Sequence, residues 1–75
     1  MDELERQLVR IWEVALGRQG IGLRDSFWDL GGTSLIALRV VRRIEEVLGK
    51  SVPVATLLQV STIEELASLL RASQL

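Results

Sequence analysis

The segment DLGGTSLIAL, residues 29–38, places two glycines and two hydroxyl side chains directly before an apolar helical run. Glycine permits tight turns, and a hydroxyl that follows such a turn can cap a helix by accepting a hydrogen bond from a backbone amide. The segment therefore predicts a loop that ends at Thr33 and a helix that begins at Ser34 or Leu35. It also raises the question whether Ser34 only begins that helix or carries an attached group.

The helix predicted after this loop runs to residue 48 and ends at Gly49, because glycine accepts the left-handed conformation that follows many helices. At about 100° per residue, one broad face of the helix is apolar and should face the core. The residues on that face are Ile36, Ala37, Val40, Val41, Ile44, Val47 and Leu48. The opposite face carries Arg39, Arg42, Arg43, Glu45 and Glu46.

A first amphipathic helix is predicted from about residue 2 to residue 16, where apolar side chains recur at helical spacing. The inward residues are Leu4, Leu8, Ile11, Trp12 and Ala15. Asp2 and Glu5 have the spacing of a capping box, and Gly17 supplies a stop. Residues 18–33 are rich in glycine and lack a helical period, which predicts a long loop held to the core by apolar side chains. These are Ile21, Leu23, Phe27, Trp28 and Leu30.

Two further helices are predicted in the C-terminal third of the chain. Pro53 suits the first turn of a helix and cannot continue one, so a short third helix is expected at residues 55–59. Ser61 with Glu64 and Thr62 with Glu65 both offer capping-box spacing for a last helix that continues to about residue 71. Its inward residues are Ile63, Leu66, Ala67 and Leu70. The predicted fold is all-α, a small four-helix bundle of three principal helices and one short one.

The composition excludes several classes of function. The chain has 75 residues, no cysteine, no histidine and a net charge of −1, which predicts one domain over residues 1–75. Without histidine or cysteine it cannot build a Ser-His or Cys-His nucleophilic pair, so an enzyme is not expected. The charge balance predicts neither nucleic-acid nor membrane binding, and no apolar run is long enough to span a bilayer. We expect a cytoplasmic, monomeric domain without a metal site.

Leu35 and Leu38 do not follow the apolar face of the second helix. They project about 100° or more from its centre, among the charges and within one turn of Ser34. Single exposed leucines are common in proteins, and the preceding loop could cover them. Alternatively they form a small apolar patch, bordered by Arg39 and Arg42, on which another protein docks. Arg42 could also simply pair with Glu45 or Glu46.

Ser34 has two interpretations that the residues alone leave open. It can be an N-cap, although the glutamate of a capping box is missing three residues later. It can instead be a modification site, because helix amides and the helix dipole favour an attached phosphodiester. A nucleotide-binding P-loop is rejected, since that motif needs a lysine after the glycines and the only lysine is Lys50.

The segment DSFWDLGGTSLIALRVVRRIEEVLG, residues 25–49, resembles the core motif of peptidyl carrier proteins, the thiolation domains of nonribosomal peptide synthetases. The family pattern, roughly Asp-x-Phe-Phe-x-Leu-Gly-Gly-x-Ser-Leu, is filled by Asp25, Phe27, Trp28, Leu30, Gly31, Gly32, Ser34 and Leu35. The flanking segments LVRIWEVALG and VPVATLLQVSTIEELASLL are similar to the family's outer helices, so the resemblance covers almost the whole chain. Trp28 stands where phenylalanine is commoner, and Thr33 where histidine or aspartate is frequent.

The resemblance implies an acyl-carrier-protein-like fold and 4′-phosphopantetheine attached covalently to Ser34 by a phosphopantetheinyl transferase. It implies a carrier of aminoacyl or peptidyl thioesters that visits an adenylation domain and then a condensation or other downstream synthetase domain. The docking surface that it implies consists of Trp28, Thr33, Leu35, Leu38, Arg39 and Arg42. Thr33 leaves the downstream partner open, because that position varies in the family with the neighbouring catalytic domain.

Three other interpretations remain beside the peptidyl carrier. One is an acyl carrier of a modular polyketide or hybrid synthase, although LGGTSL and the small net charge favour the peptidyl type. Another is an unmodified helical interaction module in which Ser34 is an N-cap. The third is a helix-turn-helix DNA-binding protein, suggested by Arg39, Arg42 and Arg43. The adjacent glutamates and the absence of a basic stripe on other elements argue against DNA binding.

Overall fold

A computed structural model describes residues 1–72 of the chain, and in these residues it contains four α-helices and no strand. The helices are α1 (Glu3–Leu16), α2 (Ser34–Leu48), α3 (Val54–Gln59) and α4 (Ile63–Ala72). α1 packs against α2 and α4, while α3 packs against α2. The predicted all-α bundle of three principal helices and one short helix is confirmed. None of the helices in residues 1–72 has the length and apolarity needed to cross a membrane.

The ends of α1 and α2 lie where the sequence predicts them. Asp2 caps α1 in a complete capping box: its carboxylate accepts the Glu5 amide at 2.9 Å, and the Glu5 carboxylate accepts the Asp2 amide at 3.0 Å. Gly17 and Gly49 follow α1 and α2 in the left-handed conformation, with φ of 66° and 65°. Each of these glycines also donates its amide to a carbonyl in the last turn of its helix.

The start of α3 differs by one residue from the prediction, and the start of α4 uses one of the two predicted caps. Pro53 is the residue before α3 and not part of its first turn, because its extended backbone leaves Val54 as the first helical residue. Of the two possible caps of α4, Thr62 is the one used: its hydroxyl oxygen accepts the Glu65 amide at 3.2 Å. Thr62 lies directly before the helix, whereas Ser61 is one residue too early to reach a free amide there.

A continuous apolar core joins the helices and the long loop. Its buried residues are Leu8, Ile11, Trp12, Ile21, Phe27, Ala37, Val40, Ile44, Val52, Leu57, Ile63, Leu66, Ala67 and Leu70. Within α2, the prediction for Val47 is wrong, because this side chain is 43% exposed. Periodicity places Val47 at the margin of the apolar face, but it cannot tell whether another element covers the last turn. Ile36, Val41 and Leu48 are half-buried against the core.

Candidate functional site: the start of α2

The loop before α2 is closed by backbone hydrogen bonds into a compact turn. The amides of Leu30, Gly31 and Gly32 donate to the carbonyls of Ser26, Trp28 and Phe27 at 3.1, 3.1 and 2.9 Å. This folding brings the chain back on itself immediately before Thr33. The turn therefore fixes the direction from which the chain enters α2.

The same loop is attached to the start of α4. The Phe27 amide donates to the Ser61 carbonyl at 2.6 Å, and the Glu64 amide donates to the Leu23 carbonyl at 3.0 Å. The Arg24 guanidinium adds an exposed ion pair with Glu64 at 3.5 Å. Because backbone groups form two of these contacts, the loop is held in place largely independently of its polar side chains.

The aromatic residues of the loop have different surroundings. Phe27 is fully buried, edge-to-face against Trp12 with ring centroids 5.1 Å apart. Trp28 was predicted to help hold the loop to the core, but it is 40% exposed and contacts Phe27 from the outside, at 5.2 Å between centroids. Adjacent residues in an extended or turning segment point in different directions, so only one of the pair can enter the core. Trp28 is left at the surface.

Thr33, and not Ser34, is the residue that caps α2. Its hydroxyl oxygen accepts the Ile36 amide at 3.2 Å, and its carbonyl accepts the Ala37 amide at 2.8 Å. Ser34 is the first residue of the helix and is exposed. Its hydroxyl forms no hydrogen bond with any group in residues 1–72. The structure therefore gives Ser34 no capping role, and its hydroxyl is accessible from solvent.

The surroundings of the Ser34 hydroxyl suit an attached anion. The amides of Ser34 and Leu35 make no hydrogen bond within the described part of the chain, as expected for the first residues of a helix. The first turn of α2 contains no acidic residue. Free amides and the positive end of the helix dipole both lower the energy of a nearby phosphodiester. The residues present thus fit a phosphopantetheine group on Ser34.

The two leucines that leave the apolar face of α2 are exposed. Leu35 is 60% exposed and Leu38 is 40% exposed, so the loop does not cover them. Arg39 and Arg42 are exposed on the same side and form no ion pair within residues 1–72. The alternative pairing of Arg42 with Glu45 or Glu46 is wrong. Glu46 instead forms an ion pair with Arg43, with 3.2 Å between the guanidinium nitrogen and the carboxylate oxygen.

The exposure of one apolar residue on α3 was not predicted from the sequence. Leu58 of α3 is 40% exposed, on the short helix that packs against α2. The available signal was the pair Leu57-Leu58, since adjacent residues of a helix lie about 100° apart and cannot both point to the centre of one core. Leu57 is the buried member of the pair.

Comparison with protein families identifies the family to which the chain belongs. Residues 6–70 match the family described as "Phosphopantetheine attachment site". The chain is 43% identical over 70 residues to surfactin synthase subunit 2 of Bacillus subtilis (strain 168), an alignment that covers 93% of this chain and 2% of that protein. It is 41% identical over 68 residues to the PKS-NRPS hybrid synthetase acdB of Aspergillus candidus, with coverages of 91% and 3%. The chain thus spans a few per cent of the length of these relatives.

Solved structures share the fold. One similar chain belongs to the structure of the phosphopantetheine transferase Sfp in complex with coenzyme A and a peptidyl carrier protein. The TM-score is 0.91 at 32% identity, covering 96% of this chain and 94% of that one. Another belongs to McyG A-PCP complexed with phenylalanyl-adenylate, with a TM-score of 0.88 at 31% identity and coverages of 93% and 11%.

Proposed function

This chain belongs to the phosphopantetheine-attachment family as a peptidyl carrier, or thiolation, domain, and we propose that Ser34 is the residue that bears its 4′-phosphopantetheine. The observation that supports this assignment is that the neighbouring hydroxyls of Thr33 and Ser34 have different roles. Thr33 caps α2, whereas the exposed Ser34 hydroxyl has no hydrogen bond in residues 1–72. Ser34 can therefore be modified without loss of a helix cap.

The residues around Ser34 would hold the phosphodiester and leave the chemistry to other proteins. When bound, the group supplies a thiol on a flexible arm, and a thioester on that thiol keeps an aminoacyl or peptidyl unit activated. Tethering raises the effective concentration of the cargo at each partner. The chain itself offers no histidine or cysteine as a base or nucleophile. We accordingly propose a non-catalytic carrier in nonribosomal peptide synthesis, and cytoplasmic location and a monomeric state stay predictions.

The attachment site is tested by intact-protein mass spectrometry. The chain is incubated with coenzyme A, magnesium and the transferase Sfp, beside the variants Ser34→Ala and Thr33→Ala. We expect one phosphopantetheine increment on the wild type and on Thr33→Ala, and none on Ser34→Ala. Thr33→Ala should also lower the free energy of unfolding by about 1 kcal/mol, because the cap is lost.

Two results would contradict this assignment. An increment that persists in Ser34→Ala and disappears in Thr33→Ala would move the attachment to the neighbouring hydroxyl. Failure of the folded wild type to gain any increment would leave Ser34 without a modification and remove the carrier function. Circular dichroism of each variant confirms that the helices are present before the mass is measured.

We further propose that partners dock on the surface that surrounds Ser34. Trp28, Leu35 and Leu38 supply exposed apolar area there, and Arg39 and Arg42 lie beside them. Thr33 is the last residue of the loop and directly precedes Ser34 on this surface. Transferase, adenylation domain and downstream synthetase domain would each use this surface in turn, because the transferase must reach the Ser34 hydroxyl and the others must reach the group attached to it. A small patch suits such short-lived contacts.

The variant Leu38→Asp tests the docking surface. Because Leu38 is 40% exposed, a charge there should leave the fold intact while lowering the rate of modification by Sfp about fivefold or more. Val14→Asp is the matched control, since Val14 is 82% exposed on α1 and lies outside the surface. Equal modification rates for the two variants, or unfolding of Leu38→Asp, would refute the role of Leu38.

A polyketide or hybrid synthase stays the second candidate, supported by the similarity to acdB, a PKS-NRPS hybrid. The two candidates differ in the cargo and not in the attachment. Loading of the modified chain by an adenylation domain, with an amino acid and ATP, would favour the peptidyl type. Loading by an acyltransferase with an acyl-coenzyme A would favour the polyketide type.

A further inference from the structure

The exposed residues after Ser34 form one continuous stripe along α2. Leu35, Leu38, Arg39 and Arg42 are spaced i, i+3, i+4 and i+7, so they lie within about 100° of one another around the helix axis. All four are exposed. The stripe, which we call the 35–42 stripe, therefore presents apolar area near Ser34 and positive charge directly beyond it.

The positive charge of the stripe is not neutralised within residues 1–72. Neither the Arg39 nor the Arg42 guanidinium has an ion pair or a hydrogen bond there. Glu46 lies on the continuation of the same face, but Arg43 pairs with it at 3.2 Å. The helix dipole adds positive potential at the start of α2, where the first turn has no acidic residue.

The carboxylates nearest to the stripe along the chain do not form ion pairs with Arg39 or Arg42. Asp25 accepts the Gly22 amide at 2.8 Å and forms no ion pair with Arg39 or Arg42. Asp29 and Glu45 are exposed, and neither lies within ion-pair distance of Arg39 or Arg42. With a net charge of only −1 for the whole chain, the stripe is a local basic region on a nearly neutral protein.

From these observations we infer that the partner surface for the 35–42 stripe is an apolar site bordered by carboxylates. The inference rests on the proposed docking function and specifies the chemistry of the partner. An arginine that stays unpaired in the free carrier can bind a carboxylate bidentately in the complex, and like charges opposite each other would be rejected. A partner with a lysine- or arginine-rich docking surface is therefore excluded by charge, although the leucines would still fit it.

Two synthetic amphipathic peptides provide the probes. They share leucines at i and i+4 and differ only in the flanking residues, which are glutamates in one peptide and lysines in the other. We expect the glutamate peptide to shift the amide resonances of residues 34–42 in ¹⁵N spectra, and to bind about fivefold or more tightly than the lysine peptide. The shifts should decrease as NaCl rises from about 50 mM to about 0.5 M.

Charge-reversed variants test whether Arg39 and Arg42 cause the preference for the glutamate peptide. The double variant Arg39→Glu/Arg42→Glu should favour the lysine peptide instead. Arg10→Glu/Arg18→Glu is the matched control, because it changes the net charge equally at exposed positions without ion pairs in residues 1–72. This control should keep the wild-type preference.

The outcomes separate this inference from the carrier function. Equal binding of both peptides, binding of neither, or the same response from both double variants would overturn the inference. In those cases the mass increment on Ser34 would still stand, because it is measured directly on the wild-type chain whatever the peptide preference of the stripe. Absence of the increment would instead overturn the carrier function itself.

Discussion

Gly32 lies so close to Phe27 that the position excludes any side chain. A Cβ atom at Gly32 would lie 2.4 Å from two carbons of the Phe27 ring and 2.6 Å from the Phe27 carbonyl oxygen. Phe27 is fully buried against Trp12, so its ring has no free space into which to move. The second glycine before the helix is thus required by packing, while Gly31, with φ of 97°, is required by its backbone conformation.

The variant Gly32→Ala should be strongly destabilised. We expect the free energy of unfolding to fall by about 2–3 kcal/mol, because the added methyl group overpacks the loop against a buried ring. Urea denaturation followed by far-UV circular dichroism measures the change. Gly22→Ala is the control: the atoms nearest to its Cβ would be those of the exposed Asp25 carboxylate, at 3.3 Å or more, so a loss below about 1 kcal/mol is expected. Similar losses for both variants would contradict the packing argument.

At the scale of an element, α2 has one face that packs in the core and one face that is exposed. One face buries Ala37, Val40 and Ile44 and supplies helix-packing energy. The other carries Leu35 and Leu38, which contribute less to the fold because part of their surface stays in contact with water. Substitutions on the two faces should therefore separate stability from docking, as Leu38→Asp is designed to do.

At the start of α4, the structure selects Thr62 over Ser61 as the cap, although both have capping-box spacing in the sequence. Thr62→Ala removes the hydroxyl that accepts the Glu65 amide and donates to the Glu65 carboxylate at 3.1 Å. The free energy of unfolding should fall by about 1 kcal/mol. Ser61→Ala should cost less than about 0.5 kcal/mol, because the contact of Ser61 with Phe27 uses its backbone carbonyl. Thermal or urea denaturation measures both; a larger loss in Ser61→Ala would mean that the cap is Ser61.

At the scale of the whole molecule, α4 returns to the first turn of α1. Arg71 forms an ion pair with Asp2 and lies 3.9 Å from the Glu5 carboxylate. The pKa of Asp2 is lowered from its ordinary value of 3.8, first because its carboxylate accepts the Glu5 amide and further because Arg71 lies beside it. The capping box and the closure of the bundle therefore share one ionised group.

The lowered pKa of Asp2 predicts a loss of stability in acid. Because this pKa is lower in the folded than in the unfolded chain, its contribution is present above about pH 4 and is lost as the pH falls through the folded value. Urea unfolding between about pH 5 and about pH 2 should therefore show a steeper loss for the wild type than for Asp2→Asn, which can still cap α1. Arg71→Gln should give an intermediate slope. Identical slopes for wild type and Asp2→Asn would contradict the assignment.

Local chemistry makes several features of this protein predictable from its sequence alone. The ends of α1 and α2 follow from Asp2, Gly17 and Gly49, because capping depends on residues only a few positions apart. The exposure of Leu35 and Leu38 follows from helical periodicity. The motif around Ser34 is contiguous, so the family too could be identified from the sequence.

Tertiary structure decided the features that depend on distant neighbours. Trp28 and Val47 are exposed because no element within residues 1–72 covers them, and the local sequence contains no information about such coverage. The cap of α2 is Thr33, whose hydroxyl accepts the Ile36 amide, in a loop that hydrogen bonds to Ser61 and Glu64 hold in place. By residue type Ser34 is at least as good a cap as Thr33. Only the folded loop gives the cap to Thr33 and leaves the hydroxyl of Ser34 free.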